Sequence, residues 1–136
     1  MIEFRHAELV SASLHNKVLK QIDTIFKMIK EPAIYIVSNK NRSTYYIGVT
    51  SDLERRILEH KAGIGSTFTA KYQLKELLYY EKFQTMTDAI EREKQLKKWH
   101  RQWKTNLIKT INTDMIDLAK DWFELDAIES AKFEIK

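Results

Sequence analysis

Apolar residues recur at helical and strand spacings along most of the 136-residue chain. Between residues 7 and 30 their spacing of three and four predicts an amphipathic helix, with the apolar members Leu14, Val18, Ile22, Ile25, Phe26 and Ile29. Pro32 disfavours a helical conformation at Glu31, so the helix is expected to end there. The pattern therefore predicts an N-terminal helical extension over residues 1–31.

Strand-like segments follow the proline. The segments 33–37 and 44–49 are rich in Tyr, Ile and Val, and the polar stretch 38–43 between them is typical of a hairpin loop. The run 74–83 indicates a third strand at the centre of the sheet, with a short helix as the alternative. Two paired strands and a third partner follow from this pattern.

Capping signals then predict helices. Ser51 and Glu54 have the spacing of a capping box and begin a helix that runs to about Lys61. Thr85 and Asp88 cap the next one. Two further helical patterns follow, the first with Trp103, Leu107 and Ile108, and the second with Met115, Leu118, Ala119, Trp122 and Leu125. We expect one domain over residues 32–126 and a C-terminal tail over residues 127–136.

The basic and acidic residues are unevenly distributed along the sequence. The net charge of +4 is modest, but residues 92–109 hold seven basic side chains against one acid, whereas the chain beyond residue 111 holds seven acids against three lysines. A charge run of this kind is either a phosphate-binding surface or a solvated face over Trp99 and Trp103. The basic residues of 92–109 thus surround the one acid of that region, Glu93.

Other features of the composition exclude whole classes of site. The sequence has no cysteine, which excludes a disulfide framework and a thiolate zinc site. No stretch approaches the length of a membrane span, and the start lacks a basic segment followed by an apolar run. We expect a soluble, cytoplasmic protein without a membrane partner.

Arg56 and His60 share the inward stripe of their predicted helix. Together with Leu53 and Ile57 they stand at positions i, i+3, i+4 and i+7, whereas Arg55 points away. The presence of a guanidinium and an imidazole on a core-facing stripe requires an explanation. Either they carry chemistry, or Arg56 extends its charge to the surface and His60 only ends the helix.

Glu93 is likewise an ionisable residue on the apolar stripe of its predicted helix, the one that Thr85 and Asp88 cap. It stands three residues after Ile90 and three before Leu96 on the apolar stripe, while Glu91 faces water. Burial of an unpaired carboxylate is costly, so Glu93 is expected to have a cationic partner. That partner is either a metal ion or Arg56.

Tyr35 and Tyr46 lie on the two strands expected to pair. Tyrosine is ordinary in strands, so neither phenol alone indicates a site. Tyr46 shares its side of the sheet with Gly48, whose missing side chain leaves room for another backbone or a ligand.

As an ordered set, these residues resemble the GIY-YIG nuclease superfamily, in particular its small single-domain bacterial members. The set comprises Ala33-Ile34-Tyr35, the motif Y-I-G-V-T-x-D-L-x-R-R-x-x-x-H at residues 46–60, and R-E-K-Q-L-K-K-W at residues 92–99. It extends over residues 33–123, about two thirds of the chain. The resemblance implies an α+β fold, a small three-stranded antiparallel sheet flanked by helices, here with an extra N-terminal helix.

The resemblance also implies a metal-dependent endonuclease acting on nucleic acid, DNA more than RNA, with structure-selective or weakly sequence-selective recognition. Its catalytic residues would be Tyr35, Tyr46, Arg56, His60 and Glu93. Glu93 would hold one Mg²⁺ or Mn²⁺ ion, and Arg56 would contact the phosphate. The sequence leaves open which tyrosine is the general base, with Tyr46 favoured. The nucleic-acid-binding residues would be Lys94, Lys97, Lys98, Arg101 and Lys104.

The chain departs from the family pattern in places. Ala33 replaces the first glycine of G-I-Y, and residues 112–115 read N-T-D-M where relatives usually have N-P-x-W, so Asn112 is only a weak candidate. The N-terminal helix is outside the family domain, and the sequence leaves open whether Met28 is an alternative start. Two other functions compete with the nuclease: a catalytically silent nucleic-acid-binding module of the same fold, and a protein-interaction domain that uses the N-terminal helix.

Overall fold

The computed structural model describes residues 12–22, 24–25 and 30–134. The chain forms two compact units, Met1–Lys30 and Glu31–Lys136. In the first unit, residues 12–22 and 24–25 are helical, as predicted, and are called α1. The predicted stripe residues Phe26 and Ile29, and also Met28, lie outside the described residues. The apolar side chains of α1 are exposed: Leu14, Val18, Leu19, Ile22 and Ile25.

The second unit is built on a three-stranded antiparallel sheet, which confirms the predicted α+β fold. Strand β1 (Ala33–Ser38) lies between β2 (Tyr45–Thr50) and β3 (Glu76–Lys82). The third strand therefore lies at an edge, and the prediction that it would be central is wrong. All residues of β1 are buried, because helices and turns cover both of its faces, whereas β3 ends in partly exposed residues.

Five helices follow the first hairpin in the described part of the unit. They are α2 (Leu53–Lys61), α3 (Thr67–Lys71), α4 (Met86–Lys97), α5 (Arg101–Lys109) and α6 (Leu125–Glu134). Thr85 caps α4 as predicted, but the cap of α2 is Asp52 and not Ser51, because the Asp52 carboxylate accepts from the backbone N–H of Arg55. The short helix α3 has no counterpart in the sequence prediction. None of the described helices is long and apolar enough to cross a membrane.

Residues 112–124 form turns, so the helix predicted through Met115 and Leu125 is wrong over most of its length. Polar side chains compete with helix formation there. The Asp117 carboxylate accepts from the backbone N–H groups of Leu77 and Ala119 at 3.0 Å and pairs with Lys61 Nζ at 2.6 Å. These bonds tie the segment to β3 and α2 in an irregular conformation. Helix α6 begins only at Leu125.

The two faces of the sheet carry two apolar clusters, because neighbouring strand residues point to opposite sides. Tyr35 packs on one face with Leu53 and Ile57 of α2. On the other face, Ile34 and Ile36 pack with residues of α4 and α5: Ala89, Leu96 and Ile108. Helices α2 and α4 therefore pack on opposite faces of the sheet.

Candidate active site

Tyr35 is held in the space beside Gly48. The two residues are directly paired between β1 and β2, so they share one face of the sheet. A β-carbon on Gly48 would lie 2.3 Å from Tyr35 Cζ and Oη, far inside van der Waals contact. The space left by Gly48 is therefore filled by the phenol of this chain, not by another backbone or a ligand.

The Tyr35 hydroxyl lies between two groups of α2. Arg56 Nε donates to Tyr35 Oη at 3.2 Å, and Tyr35 Oη lies 2.8 Å from His60 Nε2. Burial raises the pKa of Tyr35 to about 12, although Arg56 acts in the opposite direction. Tyr35 is therefore a neutral phenol at ordinary pH, with its own proton available to His60.

His60 is buried and uncharged. Burial, assisted by the nearby positive charge of Arg56, lowers the pKa of the His60 imidazole to about 4. Its second ring nitrogen, Nδ1, lies 3.2 Å from Thr69 Oγ1 on α3. A β-carbon on Gly65 would lie 2.2 Å from the same nitrogen, so this glycine lets the loop close over the ring. Thr69 and Gly65 lie outside the motifs, and the sequence signal for this segment is the cap spacing of Ser66 and Thr69.

Arg56 is oriented as the helical spacing predicts. Leu53, Ile57 and His60 are buried, Arg56 is half-buried, and Arg55 is exposed. Apart from its bond to Tyr35, Arg56 has an acidic neighbour, because its Nη1 lies 3.8 Å from Glu59 Oε2. The guanidinium thus extends from the buried phenol toward the surface.

Tyr46 is the accessible phenol of the site. Its ring centroid lies 6.4 Å from that of Tyr35 and 6.0 Å from that of His60. It is half-buried and lines an open groove at β2 together with Tyr45, Ile47, Phe68, Lys97 and Lys104. Tyr46 therefore joins the buried Tyr35 and His60 pair to the surface.

Glu93 forms an ion pair within its own helix. It is buried, with 9% of its surface exposed, and its Oε1 pairs with Lys97 Nζ one turn further along α4. The predicted alternative, an ion pair with Arg56, is wrong, since Arg56 bonds to Tyr35 and its acidic neighbour is Glu59. The pairing was visible in the sequence, because Glu before Lys at i, i+4 is a favourable helical spacing. Lys97 also lines the groove that contains Tyr46, so Glu93 lies next to that groove.

Comparison with known families decides the identity of the domain. Residues 31–106 match the GIY-YIG catalytic domain, which is more than half of the chain. The chain belongs to the GIY-YIG family. Its relatives include a UPF0213 protein of Staphylococcus saprophyticus, 40% identical over 75 residues, which are 55% of this chain and 90% of the relative. A UPF0213 protein of Haloquadratum walsbyi is 38% identical over 74 residues, which are 54% of this chain and 82% of the relative.

The matched range contains the tyrosines, Arg56, His60 and Glu93, and it excludes α1 and α6. No solved structure matches the chain. As a GIY-YIG catalytic domain, the unit is of the nuclease type, with the nucleic-acid binding that such activity requires.

The basic residues of the GIY-YIG domain differ in their surroundings. Lys97 and Lys104 line the groove, and burial, with the nearby Arg101, lowers the pKa of Lys104. The Arg101 guanidinium lies 4.0 Å from the ring centroid of Tyr45 and donates to the backbone carbonyl of Arg42. Lys94 and Lys98 are exposed on α4 and at its end. Three of the five basic candidates thus contact or line the edge formed by β2.

Asn112 has a structural role in the GIY-YIG domain. Its amide donates to the carbonyls of Leu78 at 3.0 Å and Ile116 at 2.8 Å, and its oxygen accepts from the Ile116 N–H at 3.1 Å. Asn112 is also buried. Its polar atoms therefore fasten the turns after α5 to β3.

Proposed function

We propose that this GIY-YIG domain is a metal-dependent endonuclease that hydrolyses phosphodiester bonds, in DNA more than in RNA. The proposal rests on the hydrogen bonds that connect Arg56, Tyr35 and His60. They lie beside a groove lined by the second phenol, Tyr46. A guanidinium, two phenols and an imidazole supply a phosphate ligand and proton-transfer groups at one place. The carboxylate of Glu93 is next to the same groove.

Glu93 fits one Mg²⁺ or Mn²⁺ ion. A single carboxylate, with water and phosphate oxygens completing the shell, is a common way to hold Mg²⁺. The described residues contain no cluster of three or more metal-binding side chains, so Glu93 would be the chief protein ligand. When bound, the ion would stabilise negative charge on the phosphate and the leaving oxygen. Lys97 would compete with a cation for this carboxylate, and its side chain is 53% exposed.

Tyr46 is better placed than Tyr35 to accept a proton from the attacking water. Tyr35 is buried, its pKa is raised to about 12, and its hydroxyl bonds to His60 and Arg56. Tyr46 lines the groove, and Arg56 is near enough for its charge to interact with the Tyr46 phenol. A general base must reach the attacking water, and of the two phenols Tyr46 is the one that lines the groove.

Arg56 would bind the scissile phosphate. Its Nε is used by Tyr35, which fixes the plane of the guanidinium, and 27% of its side chain is exposed. A planar guanidinium fixed in this way presents its remaining N–H groups in a defined direction, as oxyanion recognition requires. Arg56 thus connects the proton-transfer groups with the substrate.

Recognition of nucleic-acid structure, not of a long sequence, is favoured by the surface beside the groove. Phe68 and Tyr72 are exposed, and their ring centroids lie 4.8 Å apart. The ring centroid of Phe68 lies 6.2 Å from that of Tyr46. Exposed aromatic rings beside basic residues stack unpaired bases without strong sequence preference. The basic side chains Lys94, Lys97, Lys98, Arg101 and Lys104 would contact phosphates, which carry no sequence information.

One observation favours the second candidate, a silent nucleic-acid-binding module. The ion pair with Lys97 satisfies the Glu93 carboxylate without a metal ion. In such a module the basic residues and aromatic rings would bind nucleic acid, and Glu93 would only fix Lys97.

A cleavage screen separates these functions. The full chain is incubated with supercoiled plasmid, branched DNA, single-stranded DNA and RNA of matched sequence, each with Mg²⁺, Mn²⁺ or EDTA. Cleavage that needs a divalent ion and favours DNA supports the endonuclease. Binding without cleavage in every condition supports the silent module, and the absence of both overturns the two proposals.

A further inference from the structure

Thr69 lies behind His60, on the side away from Tyr35. It is buried, with 2% of its surface exposed, and its Oγ1 is 3.2 Å from His60 Nδ1. Neither GIY-YIG tripeptide nor the motif around Arg56 includes this residue. Thr69 belongs to α3, the short helix that packs its one buried residue against the imidazole.

Ser66 fixes the direction of the Thr69 hydroxyl. As the N-cap of α3, Ser66 Oγ accepts from the Thr69 N–H at 3.1 Å and lies 2.8 Å from Thr69 Oγ1. Thr69 Oγ1 also donates to the Ser66 carbonyl at 3.3 Å. With its proton directed to Ser66, the Thr69 hydroxyl presents a lone pair to His60.

The hydrogen bonds that connect Arg56, Tyr35, His60 and Thr69 then have one consistent assignment of donors and acceptors. A guanidinium can only donate, so Tyr35 Oη accepts from Arg56 and directs its own proton to His60 Nε2. Because Nε2 accepts, the single proton of neutral His60 resides on Nδ1. Thr69 Oγ1 is the acceptor for that proton.

We propose that Thr69 is a positioning residue, which holds His60 in the Nδ1-protonated tautomer so that Nε2 fixes the Tyr35 hydroxyl beside Arg56. The catalytic part of this inference rests on the proposed nuclease function, whereas the tautomer does not. Without the Thr69 hydroxyl, His60 is free to place its proton on Nε2, where it would oppose the Tyr35 proton. The phenol would then lose its fixed position between Arg56 and His60.

The tautomer is measured by ¹⁵N NMR of the full chain labelled at histidine, at neutral pH, with the His60 signals assigned by their loss in His60→Gln. We expect a protonated Nδ1 and an unprotonated Nε2 in the wild type. Thr69→Val removes the acceptor but keeps the shape, and it should shift the proton partly or wholly to Nε2. Thr69→Ser should retain the wild-type tautomer. Thr67→Val, an exposed change in the same helix, is the matched control.

Single-turnover cleavage supplies the second measurement. Thr69→Val should lower the maximal rate by about tenfold or more with little change in KM, and Thr69→Ser should restore it. A wild-type His60 protonated on Nε2 overturns the proposal, whichever variants fold, and so does Thr69→Val with an unchanged tautomer and rate. A wild type that shows the expected tautomer but cleaves nothing contradicts the nuclease proposal instead.

Discussion

The Tyr35 ring occupies the position that a side chain on Gly48 would need. The two residues are paired across β1 and β2, and the hydroxyl end of the ring comes closest to the glycine. The glycine of the second tripeptide thus places the tyrosine of the first, at hydrogen-bonding distance from His60 and Arg56. This accounts physically for the joint presence of the two motifs in the chain.

Gly48→Ala should displace Tyr35. Its β-carbon would lie 2.3 Å from Tyr35 Cζ, so the ring must move, at an expected cost of about 1–3 kcal/mol in the free energy of unfolding. Cleavage should fall by on the order of a hundredfold, because small displacements of reacting groups are costly. Urea unfolding and single-turnover cleavage measure the two effects.

Gly63→Ala is the control for this change. Gly63 has a φ of +78° and nothing within 4 Å of a new β-carbon. Alanine there should lower stability through backbone strain, by about 1 kcal/mol, and leave the cleavage rate unchanged. Equal losses of cleavage in the two variants would show that the rate follows stability and not the position of Tyr35.

Arg56→Lys and Arg55→Lys should differ sharply, although the two arginines are neighbours. Lysine at position 56 keeps the charge but loses the Nε donor to Tyr35 and the planar guanidinium, so turnover should fall by on the order of a hundredfold. Arg55 is exposed, and its replacement should change almost nothing. Single-turnover cleavage of a labelled oligonucleotide at saturating Mg²⁺ provides the comparison. Similar rates for both variants would contradict the role given to Arg56.

Lys94, Lys98 and Lys104 should determine the salt dependence of nucleic-acid binding. Joint replacement of Lys94, Lys98 and Lys104 by serine should weaken binding and reduce the slope of log affinity against log salt, because phosphate contacts release counterions. Lys97 and Arg101 stay in place, since they contact Glu93 and Tyr45. Fluorescence anisotropy in EDTA measures the slope without cleavage. The matched control replaces Lys82, Lys120 and Lys132, which lie outside the basic region 92–109. Equal slopes in the two triple variants would place the nucleic acid elsewhere.

His60 should make the fold sensitive to acid. The pKa of His60 is about 4 in the folded protein, whereas an unfolded histidine titrates near 6.5. The unfolded chain therefore binds more protons at this site, and stability falls as the pH drops from about 6.5 to about 4. The contribution is about 3 kcal/mol, fully present above this window and lost below it.

Urea unfolding between about pH 7 and pH 4 tests this effect. His60→Gln should show a smaller loss of stability over the window than the wild type, because other titrating groups are unchanged. His100→Gln, a change at an exposed histidine, should behave as the wild type does. An acid-induced loss in His60→Gln as large as that of the wild type would contradict a buried, neutral His60.

Local sequence patterns predicted the parts of the site that lie within one element. The spacing of Leu53, Arg56, Ile57 and His60 gave the correct face of α2, since helical periodicity determines which side chains point inward. Tyr, Ile and Val enrichment located β1 and β2. The order of the strands was wrong, because it depends on contacts between distant segments.

The features that sequence patterns did not predict depend on tertiary contacts. Thr69 meets His60 only because the loop at Gly65 closes over the ring, and a five-residue helix has too few positions to show a period. Residues 112–124 have helical apolar spacing, but the side-chain bonds of Asn112 and Asp117 determine their conformation. The pairing of Glu93 with Lys97 is local and could have been predicted from their spacing.

The metal role of Glu93 is tested most directly by cleavage with Glu93→Gln over a full Mg²⁺ titration, beside Glu91→Gln at the exposed neighbouring acid. Glutamine keeps the shape but removes the charge that would hold the ion, and loss of the pair with Lys97, a half-exposed lysine, should cost at most about 1 kcal/mol. We predict that Glu93→Gln folds with a nearly unchanged Tm, binds DNA and cleaves none of it at any Mg²⁺ concentration, while Glu91→Gln cleaves normally. Full activity of Glu93→Gln would contradict the metal role, and a large loss of Tm would show that Glu93 serves the fold through Lys97.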